Sequence, residues 1–446
     1  MASVEIAVIG AGSAQFSMGL VRDLVCLPSM AGSHVRLMDV DPKRLDTMHA
    51  VAERYAAETG AHLKFTKTLD RAEALRGADF VVNCALVGGW HGGDYLRPIL
   101  EKHGLAGRGR GGGSRLLRSF RQYDLFASVA RDIASLCPAA WYIQSSNPMT
   151  SGITLVARVA GIKAVGLCHG FNDVFRIAKR IGLDPAKVTA QAYGLNHFIW
   201  LTNFTCDGRD AYPVLDEWIE KSAPAFWKSP DCTPSCDLGP KAVEMYKLLG
   251  RYPIGDTCTP GGGNWPTWFR KTPELAAQWN EDSGAWIARH IDNMAARTGE
   301  FEQALADKAT PLTAQHPATP TGETNVTIMD ALANDHAGIF QVNVLNDGAI
   351  PGIGDDIAVE VPAYVSKAGI QKLKMDPLPE RIMQFVRERE LAIRQDVETY
   401  LSRSRTRLLL AVLGDGDMGI DQAQGLVADV LAHPGNEAMA AHFSER

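Results

Sequence analysis

The chain of 446 residues predicts an α/β fold: a doubly wound parallel sheet followed by a second, mixed and largely helical α+β region. Three observations carry that expectation. A buried strand runs into Gly10-Ala11-Gly12-Ser13, a second ends in Asp39-Val40-Asp41, and later short apolar runs alternate with helical stretches. Such a length usually divides into two domains, and the change of pattern near Asn196 places them at 1–195 and 196–446.

Val4 to Ile9 form an apolar run punctuated by glycine, a strand followed by a turn. Phe16, Leu20 and Leu24, with Val21 beside them, recur at helical spacing until Pro28. Val35 to Met38 read as the second strand, and Pro42 opens the next helix where its missing N–H costs nothing. This is a βαβ unit of the Rossmann type. Phe80-Val81-Val82, Trp141-Tyr142-Ile143 and Ala164 to Leu167 continue the sheet, each ending in polar or glycine residues. Beyond Asn196 aromatic and proline residues become frequent, Glu274 to Ala296 reads as helical, and Thr310 to Thr324 reads as a surface loop.

Composition narrows the class. Forty-five Lys and Arg against 51 Asp and Glu leave a net charge of −6, which argues against nucleic acid as a partner. With no run of 18 apolar residues and no leader-like start, no membrane partner and a cytoplasmic location are expected. Eight scattered cysteines argue against a disulfide framework.

Several residues could carry chemistry. In Gly10-x-Gly12-x-x-Gln15 two glycines allow a tight turn and close approach of a pyrophosphate to a helix N-terminus, with Ser13 alongside, although the third position is Gln. Asp39 can accept hydrogen bonds from an adenosine ribose and favours NAD over NADP, with Asp41 competing for the role. Gly166-Leu167-Cys168-His169-Gly170 and Gly194-Leu195-Asn196-His197 bring thiol and imidazole, both metal ligands, to predicted strand ends; a buried thiol and a core histidine are the plainer alternative. Cys232 and Cys236 read as unrelated thiols. Asn147 in Ser146-Asn147-Pro148 could hold a hydroxyl or begin a turn, and Asp256 in Gly255-Asp256-Thr257 could be a catalytic carboxylate or an Asx-turn acceptor. Arg108, Arg110, Arg115, Arg118 and Arg121, interleaved with glycines, suit either anion recognition or solvation.

Taken together these segments resemble family 4 of the glycoside hydrolases, the NAD- and Mn²⁺-dependent glycosidases with a lactate/malate dehydrogenase-like nucleotide domain. The resemblance rests on Ile9 to Phe16, Leu37 to Asp41, Ser146-Asn147-Pro148, Cys168-His169-Gly170, Asn196-His197 and Pro253 to Thr257. It continues through Val342 to Gly348 and Val359-Glu360-Val361-Pro362. The Cys-His-Gly form is similar to the branch acting on non-phosphorylated α-glucosides and α-uronides.

The resemblance implies that Cys168 and His197 hold the divalent metal, that Asn147 contacts the sugar, that Asp256 is the base and that His169 stands where some branches carry the acid. It also implies C3 oxidation by NAD⁺, C2 deprotonation, elimination, water addition and return of the hydride from NADH, outside the usual carboxylate-pair scheme, and a homo-dimer or tetramer. The Arg-Gly segment departs from a neutral-glucoside enzyme. It suggests an anionic sugar, an α-glucuronide or α-galacturonide, gripped by Arg108 or Arg110. The alternatives are a neutral α-glucosidase or α-galactosidase of the same mechanism, an NAD-dependent hydroxy-acid dehydrogenase, and an NAD-sensing module.

Overall fold

The computed structural model describes residues 3–105, 115–263, 265–279, 281, 283–415 and 418–444. Six parallel strands, β1 (Glu5–Ile9), β2 (His34–Met38), β3 (Lys64–Thr68), β4 (Phe80–Asn83), β5 (Trp141–Gln144) and β6 (Lys163–Gly166), lie in the order β3-β2-β1-β4-β5-β6. That order is the doubly wound one expected of the βαβ signals.

Burial on both faces explains why these strands read as continuous apolar runs. Ile6 and Val8 of β1 pack on one side with Met18, Leu24 and Tyr55 of the helices Ala14–Val25 and Pro42–Thr59. Ala7 and Ile9 turn the other way, towards Phe120, Phe126 and Ile153 of Arg115–Leu136 and Met149–Ala160. The pleat thus distributes one strand between two core layers. Pro42–Thr59 starts where Asp41 accepts a hydrogen bond from the Arg44 N–H and stops at Gly60, which takes the left-handed conformation (φ 67°). Asp41 is therefore a helix cap.

The sheet does not end at β6. It continues through β7 (Val188–Leu195), β8 (Phe198–Cys206), β9 (Arg209–Asp210), β10 (Tyr252–Ile254), β11 (Gly338–Leu345), β12 (Ala358–Ser366) and β13 (Gly369–Lys372), all antiparallel to their neighbours. The full path is β10-β8-β7-β12-β11-β6-β5-β4-β1-β2-β3, with β13 on β12 and β9 on β8. The second region is thus richer in strand than its sequence pattern suggested. The helical reading of Glu274 to Ala296 resolves into Pro273–Gln278 and Ser283–Ala306. From 307 to 324 the single helical piece is Leu312–Gln315. Among the described residues no helix is long and apolar enough to cross a membrane.

Three of the five clustered arginines serve the fold. Arg115 grips Asp396 with two hydrogen bonds of 2.5 and 3.0 Å and ties the helix Arg115–Leu136 to Glu380–Ser402. Arg121 donates to the Gly435 carbonyl and to Asn436 and lies over the Tyr95 ring, and Arg118 reaches the Gly93 carbonyl at 3.4 Å. All three thereby have partners within the fold, where the sequence left anion recognition and solvation open. Arg108 and Arg110 lie outside the described residues.

Asp396 is 2% exposed, so its charge depends on Arg115. Arg115→Met should lower unfolding free energy by roughly 3 kcal/mol, the usual cost of stranding a buried charge. Denaturant unfolding checks this, and Arg115→Met with Asp396→Leu should recover most of the loss.

Candidate active site

At the carboxyl end of β1 the chain turns through Gly10 (φ 91°), where the N–H groups of Gly10 and Ala11 both donate to the Met38 carbonyl, at 2.9 and 3.0 Å. A Cβ on Gly10 would stand 2.6 Å from the Ala85 backbone, and one on Gly12 would stand 2.9 Å from the Asp39 carboxyl. Asp39 accepts from Gly12 N at 2.8 Å and from Asp41 N at 3.0 Å, which fixes its carboxylate at the end of β2. Ser13 caps the following helix without using its side chain, and Gln15 is exposed, so no glycine is needed at that third position. Val40 is 86% exposed beside Asp39, an apolar side chain with no packing role within the chain. A glycine-lined turn, a helix N-terminus, a fixed carboxylate and a bare apolar face fit a dinucleotide.

A second group of residues gathers where β6 ends and β7 turns into β8. Cys168 follows β6 and His197 occupies the β7–β8 turn with φ 56°; Asp256 follows β10 with φ 64°. Two non-glycine residues in the left-handed region at one place mark a constrained site. His197 Nδ1 lies 3.2 Å from the Gly261 carbonyl and Nε2 lies 3.9 Å from Asp256 Oδ2. With the proton on Nδ1, Nε2 is left as a ligand atom facing the carboxylate.

The Asp256 loop is shaped from several sides. Thr259 donates to Asp256 Oδ1 in a very short hydrogen bond. A Cβ on Gly261 would fall 2.6 Å from the Asp256 carboxyl, and one on Gly262 would fall 2.0 Å from its backbone oxygen. Gly255 N donates to buried Asp173 at 2.9 Å, and Arg176 spans Asp173 and Asp237. Burial, with Asp237 adding repulsion, pushes the Asp173 carboxyl up to about 8. Gly170 packs directly on Gly255, where a Cβ would be 2.7 Å from its Cα, and this brings the Cys168 segment against the Asp256 loop.

Burial, reinforced by Glu360, pushes the Cys168 thiol well above its ordinary range. A thiolate at this place therefore calls for a cation. Among the described residues no set of three or more His, Cys, Asp and Glu is arranged to hold a metal ion. Cys168 and His197 could supply two soft-to-borderline donors, leaving the other positions to substrate oxygens and water, the open form of a catalytic site.

His169 is exposed, and the Glu323 carboxylate 3.4 Å away raises its pKa, which favours the protonated imidazolium. It borders a recess of about 170 Å³ with Cys168, Phe340 and Gln341. Asn147 is exposed in the turn after β5 and its amide has no hydrogen-bond partner among the described residues, while Gln144 donates to the Ser146 and Pro148 carbonyls and holds the turn. Cys232 and Cys236, read from the sequence as unrelated thiols, contact each other without forming a disulfide.

Sequence reasoning left out the supporting carboxylates. Glu360 is 1% exposed in the middle of β12, accepts from Asn196 at 2.9 Å, and is raised by burial to about 7. A lone carboxylate inside the apolar run Ala358 to Val365 was the available signal. Asp173 and Glu323 had no comparable mark.

The chain matches the model of the family 4 glycosyl hydrolases over residues 5–183 and that of their C-terminal domain over 192–416. It is 25% identical over 422 residues to an α-galactosidase of Bacillus subtilis, covering 92% of each chain. It is 26% identical over 435 residues to an α-galacturonidase of Thermoanaerobacter italicus, covering 92% of this chain and 91% of the other. A solved 6-phospho-α-glucosidase from gut microorganisms, in complex with NAD and Mn²⁺, superimposes with a TM-score of 0.79 at 18% identity over the whole of both chains.

Glu360 provides a test of the buried charge. In the metal-free protein its folded pKa of about 7 exceeds the ordinary 4.5, so folding takes up a proton between those values. Stability should be greatest below pH 4.5 as far as this group is concerned, and fall as pH rises through 7. Glu360→Gln should remove that fall and gain about 3 kcal/mol at pH 8, read from denaturant unfolding in EDTA across pH 5–8. Two family models that together span nearly the whole chain establish that it belongs to the family 4 glycosyl hydrolases.

Proposed function

We propose that the protein is an NAD- and divalent-metal-dependent α-glycosidase acting on a non-phosphorylated α-glycoside, with an acidic sugar, an α-galacturonide or α-glucuronide, as its substrate. The observation that carries this reading is the meeting of Cys168, His197 and Asp256 at the edge of the sheet that also carries the Gly10–Asp39 turn. The α-galacturonidase aligned along nine-tenths of both chains supports the acidic sugar.

In this reading the region 1–195 binds the nucleotide through Gly10, Gly12, Ser13 and Asp39, and 196–446 completes the substrate site. NAD bound there would supply a hydride acceptor for a sugar carbon, and a divalent metal such as Mn²⁺ held by Cys168 and His197 would supply Lewis acidity to the sugar oxygens. Asp256 takes the C2 proton. Its carboxylate is positioned for this by the Thr259 hydroxyl and by the space that Gly261 leaves. His169, whose imidazolium form Glu323 favours, delivers a proton to the departing glycosidic oxygen. Asn147, with its amide unengaged, holds a sugar hydroxyl.

Release of 4-nitrophenol from the α-galacturonide, α-glucuronide, α-galactoside and α-glucoside, with and without NAD⁺, Mn²⁺ and EDTA, tests the assignment. Uronide cleavage that needs both additions, without net NADH, is expected. NADH accumulation without aglycone would instead mark a dehydrogenase. Cys168→Ser should cut turnover at least about 100-fold, since the metal site loses a ligand. NAD⁺ affinity, read by fluorescence titration, should change little.

A further inference from the structure

The helix Glu380–Ser402 carries four arginines, and three of them have evident partners. Arg381 donates to the Leu248 carbonyl, Arg387 pairs with Glu380 at 2.6 Å, and Arg394 forms a fork with Asp356 at 2.7 and 2.8 Å. Arg389 differs. No carboxylate among the described residues lies within ion-pair distance of it, and its one hydrogen bond, at 3.4 Å, is to the backbone carbonyl of His197. Its guanidinium carbon sits 4.1 Å above the centre of the buried Phe198 ring.

Arg389 is half-buried, and none of its nitrogens is enclosed without a hydrogen-bond partner, so the donors that the His197 carbonyl leaves unused reach solvent and are open to a ligand. Burial holds Arg389 down to about 10, with Arg115 adding repulsion and buried Cys258 acting the other way. Phe198 accounts for where the cation rests, through its ring face, but offers no acceptor. The accessible donors suit an anion, and the guanidinium already lies against the backbone of the proposed metal ligand. Aromatic rings continue the wall. Phe385, one turn earlier on the same helix, packs at 5.2 Å on Trp265 and at 5.6 Å on Trp268, which is 46% exposed.

We infer that Arg389 is the residue that selects an acidic substrate, taking the carboxylate of a uronoside bound beside His197 and Asp256 in a charge-assisted, two-point hydrogen bond. The inference rests on the α-uronosidase reading of the site. It assigns to one half-buried side chain the selectivity that the sequence suggested for the 108–121 segment.

Arg389→Gln and Arg389→Lys, compared with the wild type in the presence of NAD⁺ and Mn²⁺, test it. The readouts are kcat and KM on the 4-nitrophenyl α-galacturonide and α-galactoside, competitive inhibition by free galacturonate and galactose, and NAD⁺ affinity. For Arg389→Gln the uronide KM and the galacturonate inhibition constant should each rise at least about tenfold. Galactose inhibition and NAD⁺ affinity should move less than about twofold, and Arg389→Lys should recover part of the loss. Equal losses for the acidic and neutral sugars would overturn the assignment and make Arg389 a support of the His197 backbone. Unchanged galacturonate inhibition in either variant would overturn it as well, with the uronosidase reading intact. A wild type that cleaves neutral glycosides and no uronide would overturn that reading, and this assignment with it.

Discussion

The active-site geometry depends on how a parallel sheet is joined to an antiparallel one. β6 meets β11 through one residue pair, Gly166 with Asn343, and β12 meets β7 through one pair, Glu360 with Gly194. Both contacts use glycine because the space is closed: a Cβ at Gly166 would lie 2.3 Å from Met149 Sδ, and one at Gly194 would lie 2.3 Å from the Phe198 carbonyl. These brief pairings let the chain splay immediately afterwards. Cys168 leaves one strand two residues beyond its junction, and His197 turns three residues beyond the other. The strand ends thereby come up against the Asp256 loop instead of continuing the ladder, as ligand sites in open α/β sheets lie beyond the strand ends.

The junction also concentrates negative charge. Glu360 and Asp173 are buried carboxylates whose pKa values stand well above the ordinary range, and burial together with Glu360 raises the Cys168 thiol in the same sense. Acidic groups held away from water share the protons they can keep, and a divalent cation relieves the conflict more completely than protonation does. Against the His197 carbonyl, Arg389 is a cation with no carboxylate partner among the described residues. In the reading proposed above, the acidic side holds a metal and Arg389 an anionic substituent, so that a ligand carrying both hydroxyls and a carboxylate would satisfy each.

Local signals made the nucleotide half legible. Gly10, Gly12 and Asp39 stand where the strand-turn-helix pattern put them, because that chemistry is written in adjacent residues. Asp41 was harder, since a carboxylate before Pro42 can serve ribose or helix, and the Arg44 N–H settled it as a cap. The second half was less legible. Buried antiparallel strands such as Ala358–Ser366 read as undirected apolar runs, and their partners are far away in sequence. The arginines show the same limit. Arg115 belongs to Asp396, 281 positions on, and Arg389 is taken from an ordinary charged helix surface by Phe198, nearly two hundred positions earlier. Cys168, His197 and Asp256 could be singled out by residue type, while their meeting depended on β6, β7 and β10.

Turnover in D₂O distinguishes removal of the C2 proton from direct displacement at C1 more directly than any rate measurement. With NAD⁺ and Mn²⁺ present, proton removal by Asp256 and its return from solvent predict deuterium at C2 of the released sugar, seen by NMR. Product that is labelled through its new hydroxyl alone, with protium fully retained at C2, would contradict the mechanism.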